Sequence, residues 1–111
     1  MPHYFASGDF LTYFIRDARP VARREDDLLT VYRSRQTQEI IGFKIKGVRE
    51  ILEEAGRFGV CVEDGEVNLG MFFFYLSRSA KNAPMIKTYD ELGAIARDVS
   101  IPKEAFDEIQ P

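Results

Sequence analysis

One cysteine, one histidine and no tryptophan occur among the 111 residues of this chain. A lone Cys61 cannot form an internal disulfide, which agrees with a reducing compartment. No apolar run approaches the roughly 18 residues that a membrane span needs, and the N-terminus lacks the basic-then-apolar pattern of a signal peptide. We therefore expect a cytoplasmic protein with no membrane partner.

The motifs of catalysis and metal binding are missing too. His3, the only histidine, stands near the N-terminus without positioned partners, so neither metal ligation nor base catalysis is predicted for it. Cys61 lies between two valines, where a cysteine usually packs as a small hydrophobe with a raised pKa. Gly56, Gly59 and Gly65 lack the following lysine of a phosphate loop. We predict no catalytic residue, no metal and no cofactor.

The net charge is small and acidic, −3 at neutral pH with a pI near 5.2. This balance disfavours broad attraction to phosphate backbones or anionic lipid. Six arginines lie between residues 16 and 35, but acidic residues are interleaved with them. A strand face with scattered aromatics is also more typical of a core than of a base-stacking platform. Nucleic acid is therefore not the expected partner.

Two strands are visible in the middle of the chain. Residues 27–32 favour a strand that is apolar on both faces. In residues 40–46, Ile41, Phe43 and Ile45 alternate with Ile40, Gly42, Lys44 and Lys46. This alternation fixes the register, because a slip of one residue would expose Phe43 and bury two lysines. The short polar connection 33–38 predicts antiparallel pairing.

A helix follows the second strand. Val48, Ile51, Leu52 and Ala55 recur at helical spacing, and Gly56 is placed to end the helix. Charged residues occupy the opposite side, as a solvated helix face requires. The simplest prediction is a helix packed on the sheet.

Further strands are predicted on both sides of this segment. Asp9–Arg16 favours an early strand and Val21–Arg24 a short edge strand. Val60–Glu63 runs into Asp64-Gly65, a strong hairpin signal, and Glu66–Leu76 is then the returning strand. Because Met71–Leu76 is apolar at every position, this strand is expected to be covered on both faces.

The C-terminal part is predicted to be helical. Ser77–Lys87 is expected to be a loop, and Thr88 with Glu91 forms a capping box for a helix. Pro102 fits the first turn of a last helix with Phe106 and Ile109 on its apolar side.

These elements predict one α+β domain over residues 1–111, since the chain is long enough for one core and too short for two ordinary domains. The expected architecture is an antiparallel meander of about five strands, with two or three helices packed on one face.

The two central strands resemble a hairpin in an uncharacterised family of small bacterial domains of unknown function. The resemblance covers about 20 residues: Asp27-Leu28-Leu29-Thr30-Val31 and Ile41-Gly42-Phe43-Lys44-Ile45, a D-x-L-x-V strand followed by an I-G-x-x-I strand. Lys44 stands where an acidic residue is more usual in that pattern. The resemblance implies a small antiparallel meander with a helix, and it implies no activity.

The aromatic content suggests a function in association. Aromatic residues are 13% of the chain, more than one helix-covered sheet face easily buries. We therefore expect a noncatalytic protein-interaction module that forms a homodimer through its sheet. The expected interface residues are Phe10, Phe14, Phe72 and Phe74.

Two alternatives stay open. One is a small ligand-binding protein or enzyme with a pocket between the sheet and the 77–87 loop, in which Lys44, Lys46 or Tyr75 would supply the polar groups. The other is a nucleic-acid-linked regulator, which would require the arginines of residues 16–35 to share one face.

Overall fold

The computed structural model describes residues 2–16, 19–56 and 61–107. These form two compact units, Met1–Val48 and Arg49–Pro111, here called unit 1 and unit 2. Both contain antiparallel strands, and the helices follow the first sheet in the chain, so the predicted α+β class is confirmed. The sequence predicted one sheet, whereas the described residues form two, one in each unit. The single domain over residues 1–111 stays a prediction.

Unit 1 is a five-stranded antiparallel sheet. Its strands are β1 (His3–Phe5), β2 (Phe10–Phe14), β3 (Pro20–Arg24), β4 (Leu29–Ser34) and β5 (Ile40–Lys46). The order across the sheet is β1-β2-β5-β4-β3, so β5 lies in the centre between β2 and β4. The predicted antiparallel sheet of five strands is confirmed, but its order is not strictly that of a meander: β1 pairs with β2, and β3, β4 and β5 follow one another, whereas β2 pairs with β5 instead of β3. The predicted edge strand at Val21–Arg24 is confirmed as β3.

The predicted facing of β5 is confirmed by burial. Ile41, Phe43 and Ile45 are at most 1% exposed, as are the facing residues Leu11, Leu29 and Val31 of the neighbouring strands. Lys44 is half-buried and Lys46 is exposed. The predicted strand at residues 27–32 begins two residues later and is less apolar than expected, because Thr30 and Tyr32 on its second face are only half-buried.

The next element is α1 (Val48–Gly56). Gly47 separates β5 from it with φ = +68°, a conformation that a glycine adopts without steric cost. Val48, Ile51 and Ala55 are at most 8% exposed. Leu52 is half-buried. The predicted helix and its apolar side are confirmed.

Unit 2 contains a three-stranded antiparallel sheet and a pair of helices. The strands are β6 (Val62–Glu63), β7 (Glu66–Asn68) and β8 (Ser100–Pro102), in the order β6-β7-β8. The helices are α2 (Leu69–Ser79), α3 (Ala83–Ile95) and the short α4 (Glu104–Asp107). The predicted turn at Asp64-Gly65 is confirmed, with φ = +53° and +75° at its two residues and Glu63 paired with Glu66. Positive φ at both positions is the geometry of a type I′ hairpin.

The prediction that residues 66–76 form one long strand was wrong. The strand ends at Asn68, whose side chain accepts a hydrogen bond from the Met71 backbone N–H at 2.9 Å and caps α2. Leu69, Phe72, Phe73 and Leu76 are buried, and Met71 and Phe74 are 42% and 39% exposed. That pattern has the helical spacing i, i+3, i+4, i+7, which a short apolar run obscures in the sequence.

The predicted loop at 77–87 was also wrong, as was the predicted helix start at Thr88. Helix α3 begins after Asn82, whose side chain accepts a hydrogen bond from the Met85 backbone N–H at 2.9 Å. Pro84 fits this first turn because its missing N–H needs no partner there. Thr88 lies inside the helix and donates to the Pro84 carbonyl at 3.0 Å.

The C-terminal predictions have mixed outcomes. Pro102 ends β8 rather than opening a helix, because β8 pairs with β7 through Ser100, Ile101 and Pro102. Phe106 is buried on α4 as predicted. Ile109 and Val60, to which the sequence also assigned places, lie outside the described residues.

Asn82→Ala is expected to lower the free energy of unfolding by about 1 kcal/mol, since it removes the cap of α3. Urea denaturation measures the change. Thr88→Ala is the matched control and is expected to cost less than about 0.5 kcal/mol, because the hydrogen bond that the Thr88 side chain makes among the described residues stays within the helix. A larger loss of stability for Thr88→Ala than for Asn82→Ala would mean that the helix is capped at Thr88, as the sequence predicted.

Candidate functional site

The face of the unit 1 sheet opposite Phe43 is here called the open face. Residues that pair across neighbouring strands share a face, so the register arranges the open face in three rows, about 7 Å apart along each strand. The Phe10 row contains Phe5, Phe10 and Lys46. The polar row contains His3, Thr12, Lys44, Thr30 and Arg24. The Phe14 row contains Phe14, Gly42, Tyr32 and Ala22.

The Phe10 row is a run of aromatic contacts. Phe5 stacks on Phe10 with ring centroids 4.7 Å apart and an interplanar angle of 22°. His3, from the polar row, meets the Phe5 ring edge-on at 4.3 Å. The Lys44 ammonium lies 4.4 Å from the centroid of the Phe10 ring, a cation–π distance. The rings of His3, Phe5 and Phe10 and the Lys44 ammonium therefore form one series of contacts across β1, β2 and β5.

The Phe14 row depends on a glycine. The rings of Phe14 and Tyr32 lie 4.9 Å apart, on the two strands that flank Gly42 of β5. A Cβ at Gly42 would lie 2.8 Å from Phe14 Cδ1 and 2.5 Å from the Tyr13 carbonyl oxygen. The lack of a side chain at position 42 lets the two aromatic rings meet above the central strand. This packing covers the glycine backbone.

The open face is only partly covered. Phe5 and Phe14 are 39% and 44% exposed. Phe10, Tyr32 and Lys44 are half-buried. On the opposite face the six core residues of the sheet are at most 1% exposed. The sheet is therefore two-sided. One apolar face is sealed at its centre, although Val21 and Arg23 of the edge strand β3 are exposed there, and the other is an accessible face of aromatic and basic residues.

Charge is distributed unevenly on this surface. Within the described residues, β1 to β5 contain no Asp or Glu, whereas the open face carries Lys44, Lys46 and Arg24. Arg24 lies 3.5 Å from the Asp27 carboxylate, which follows the strand, and donates to the Asp26 carbonyl. In the part of the chain that the structure describes, neither lysine takes part in an ion pair.

Of the residues that the sequence assigned to binding, four lie on the open face: Phe10, Phe14, Lys44 and Lys46. Tyr75 and the expected interface residues Phe72 and Phe74 belong to helix α2 of unit 2. Phe72 is 1% exposed, so its ring is not at the surface. Sequence reasoning missed Phe5 and Tyr32, which join the site only through strand pairing.

The ligand pocket that the sequence suggested used a 77–87 loop that is instead the end of α2 and the start of α3. Tyr75 is half-buried on α2. Burial first, and then the charges of Glu54 and Cys61, raise the pKa of Tyr75 above its ordinary value of 10.0. Tyr75 therefore stays neutral at physiological pH.

Cys61 is buried beside β6, and its predicted raised pKa is confirmed. Burial raises the pKa of its thiol from 9.0 to about 11. It lies just before the strand with φ = +78°, rather than within it. Since the thiolate is the reactive form, the thiol of Cys61 is a poor nucleophile at neutral pH.

We expect Cys61 to react with iodoacetamide at pH 8 roughly 100-fold more slowly than an exposed thiol, because its thiolate fraction falls by that factor. Mass spectrometry of the alkylated protein measures the rate. The same protein in urea is the control and is expected to react at the ordinary rate. Equal rates for the folded and unfolded protein would show an accessible thiol of ordinary pKa.

Among the described residues, no cluster of three or more His, Cys, Asp or Glu side chains is arranged to hold a metal ion. No helix in the described ranges is long and apolar enough to cross a membrane. Comparison with known proteins found no matching family model, no similar curated protein and no similar solved structure. The resemblance of the central hairpin to a family of small bacterial domains therefore stays a prediction.

Proposed function

We propose that the protein is a noncatalytic interaction module and that its binding surface is the open face of the unit 1 sheet. The observation that carries the proposal is the arrangement of two aromatic rows on either side of a polar row. Phe5 and Phe14 retain 39% and 44% exposure although the opposite face of the same sheet is sealed. Aromatic side chains supply much of the energy of macromolecular interfaces, because they bury a large area at little entropic cost.

A binding role is favoured over catalysis by the chemistry of the candidate groups. Cys61 is buried with a pKa of about 11. His3, the only histidine, is held in β1 against the Phe5 ring. A cysteine nucleophile needs a lowered thiol pKa, and the pKa of Cys61 is raised. The proposal places the module in the cytoplasm, where a single free thiol is compatible with the reducing environment.

The proposal is tested by the stability of a Phe5→Ser/Phe14→Ser variant. These side chains are half-exposed, so we expect each substitution to lower the free energy of unfolding by no more than about 1 kcal/mol in a urea titration. Losses of about 3 kcal/mol or more per substitution are typical of core phenylalanines. Such losses would mean that the open face serves folding, and the proposal would fail.

Self-association through the sheet, which the sequence predicts, is the second candidate for this face. The segment Met71–Leu76, which the sequence predicted to be a strand of that sheet, does not contribute to this face because it is part of α2. The exposed rings of Phe5 and Phe14 now favour it. In a two-fold dimer of open faces, however, the basic residues of both copies would lie in one interface, and like charges at close range are destabilising.

Sedimentation equilibrium up to high micromolar concentration tests the homodimer. If open faces pair, the wild type is expected to be a dimer and Phe14→Asp a monomer. Met71→Asp, at a comparably exposed apolar position on α2, is the control and should leave the dimer intact. A wild type that stays monomeric throughout removes the homodimer candidate.

A further inference from the structure

We propose that the open face binds single-stranded nucleic acid, with bases on its aromatic rings and phosphates on its basic residues. This inference rests on the proposed function, since it assigns a ligand class to the same face. Single strands expose the flat faces of their bases, and stacking on aromatic side chains is worth about 1–3 kcal/mol per base with little dependence on sequence. A sheet that presents aromatic rings from adjacent strands provides such a platform.

The first argument is the spacing of aromatic and polar groups. The Phe10 row and the Phe14 row lie on opposite sides of the polar row along β2, where Phe10, Thr12 and Phe14 succeed one another on one face. A strand of nucleic acid that stacks one base on each aromatic row would carry its backbone past the polar row. The residues of that row include Thr12, Thr30 and Lys44, and the Lys44 ammonium reaches from the row to the Phe10 ring. Hydroxyl and ammonium groups are ordinary phosphate ligands.

The second argument is preorganisation. The Phe14 and Tyr32 rings are already held together above Gly42, and Phe5 and Phe10 are already stacked. Lys44 is placed against the Phe10 ring at 4.4 Å. A ligand therefore meets rings whose positions are fixed by packing, so that less conformational entropy is lost on binding.

The third argument is charge complementarity. The whole-chain charge of −3 averages over two different halves. Residues 1–48 contain eight Lys and Arg against six Asp and Glu, whereas residues 49–111 contain seven against twelve. The basic excess thus belongs to unit 1, whose five strands hold no carboxylate side chain within the described residues. A polyanion is complementary to such a face, whereas a second copy of it would bring like charges together.

Fluorescence anisotropy with the full chain tests the inference. The probes are labelled 12-nucleotide oligo(dT) and oligo(U), and a labelled DNA duplex of the same length, each at 50 and 200 mM KCl. We expect both single strands to bind more tightly than the duplex. Binding is expected to weaken with salt, because each neutralised phosphate of a single strand contributes a slope of about −0.7 to log K against log[salt].

Two substitutions address stacking and charge separately. Phe14→Leu keeps an apolar side chain but removes the ring, and we expect it to weaken single-strand binding roughly 5- to 150-fold. Lys44→Ala is expected to reduce the salt slope by about 0.7. Ile86→Leu and Lys87→Ala, at exposed positions on α3, are the matched controls and should bind like the wild type. Circular dichroism melts of each variant establish that it is folded.

The possible results distinguish a failure of the nucleic-acid assignment from a failure of the proposed function. Absence of single-strand binding, equal binding of the duplex, or a folded Phe14→Leu that binds like the wild type would each overturn the nucleic-acid assignment. If sedimentation then finds a dimer that Phe14→Asp dissociates, the open face is still an interaction surface and the proposed function stands. The nucleic-acid assignment and the proposed function both fail if three results coincide. The wild type is a monomer, it binds no single strand, and the Phe5→Ser/Phe14→Ser variant loses as much stability as substitutions of core phenylalanines do.

Discussion

Phe43→Ala is expected to lower the free energy of unfolding by about 3–5 kcal/mol, the range for removing a buried phenylalanine side chain. Phe43 is 1% exposed and lies at the centre of the sealed face, with the Tyr13 ring 5.8 Å away and Val31 opposite it on β4. The substitution would leave a cavity beside the central strand β5, which is hydrogen-bonded to β2 and β4. Because a domain of this size has about 5–15 kcal/mol of stability, partial unfolding at ordinary temperature is the expected result.

Lys44→Ala is the matched control, one residue along the same strand and on the opposite face. Its expected cost is below about 1 kcal/mol, which allows for loss of the cation–π contact with Phe10. A thermal scan and a urea titration of both variants measure the difference. If Phe43→Ala melted like the wild type while Lys44→Ala unfolded, the facing of β5 would be inverted and the open face would be the core.

Gly70→Ala is expected to lower the free energy of unfolding by about 1–3 kcal/mol, the usual range for forcing extra atoms into a packed site. A Cβ at Gly70 of α2 would lie 2.8 Å from the Arg97 Cα and 2.9 Å from the Gly93 carbonyl oxygen. Both are backbone atoms, which cannot move away as a flexible side chain can. The substitution would push α2 away from the α3 segment and loosen the core of unit 2.

Gly56→Ala provides the control for this prediction, since a Cβ at this last residue of α1 meets no atom of the described residues within 4 Å. Alanine is the better helix former, so a gain of up to about 1 kcal/mol is expected there. Urea denaturation of the two variants gives the comparison. A stabilised Gly70→Ala would mean that the helices approach less closely than the structure places them.

The local sequence pattern was sufficient to predict an element wherever a single periodicity dominated its residues. The alternation of Ile41, Phe43 and Ile45 predicted both β5 and its buried side, and Asp64-Gly65 predicted a hairpin because few other residues adopt positive φ at both central positions. Residues 71–76 gave no such guidance. Six consecutive apolar residues fit a buried strand and a helix equally, and the cap that decides between them is Asn68, outside the run.

The sequence predicted individual residues of the candidate site but not that they lie on one surface. Phe10, Phe14, Lys44 and Lys46 were singled out from the sequence, but for separate roles as interface and ligand groups. Placing them on one surface requires the pairing of β2 with β5, and residues 10–14 and 42–46 are about thirty residues apart in the chain. No local pattern specifies which strands become neighbours, since pairing is decided by the apolar surface that each arrangement buries.

The sequence by itself determined the α+β class, the central hairpin, the sealed side of β5, helix α1 and the burial of Cys61, because each follows from residue types at short spacing. Only the tertiary structure decided that β5 lies between β2 and β4 and that the apolar run at 71–76 is a helix. It alone also placed two aromatic rows beside a basic polar row on one accessible face. The physical reason is that side-chain alternation is a property of a single strand, whereas a binding surface is a property of strands brought together from distant parts of the chain.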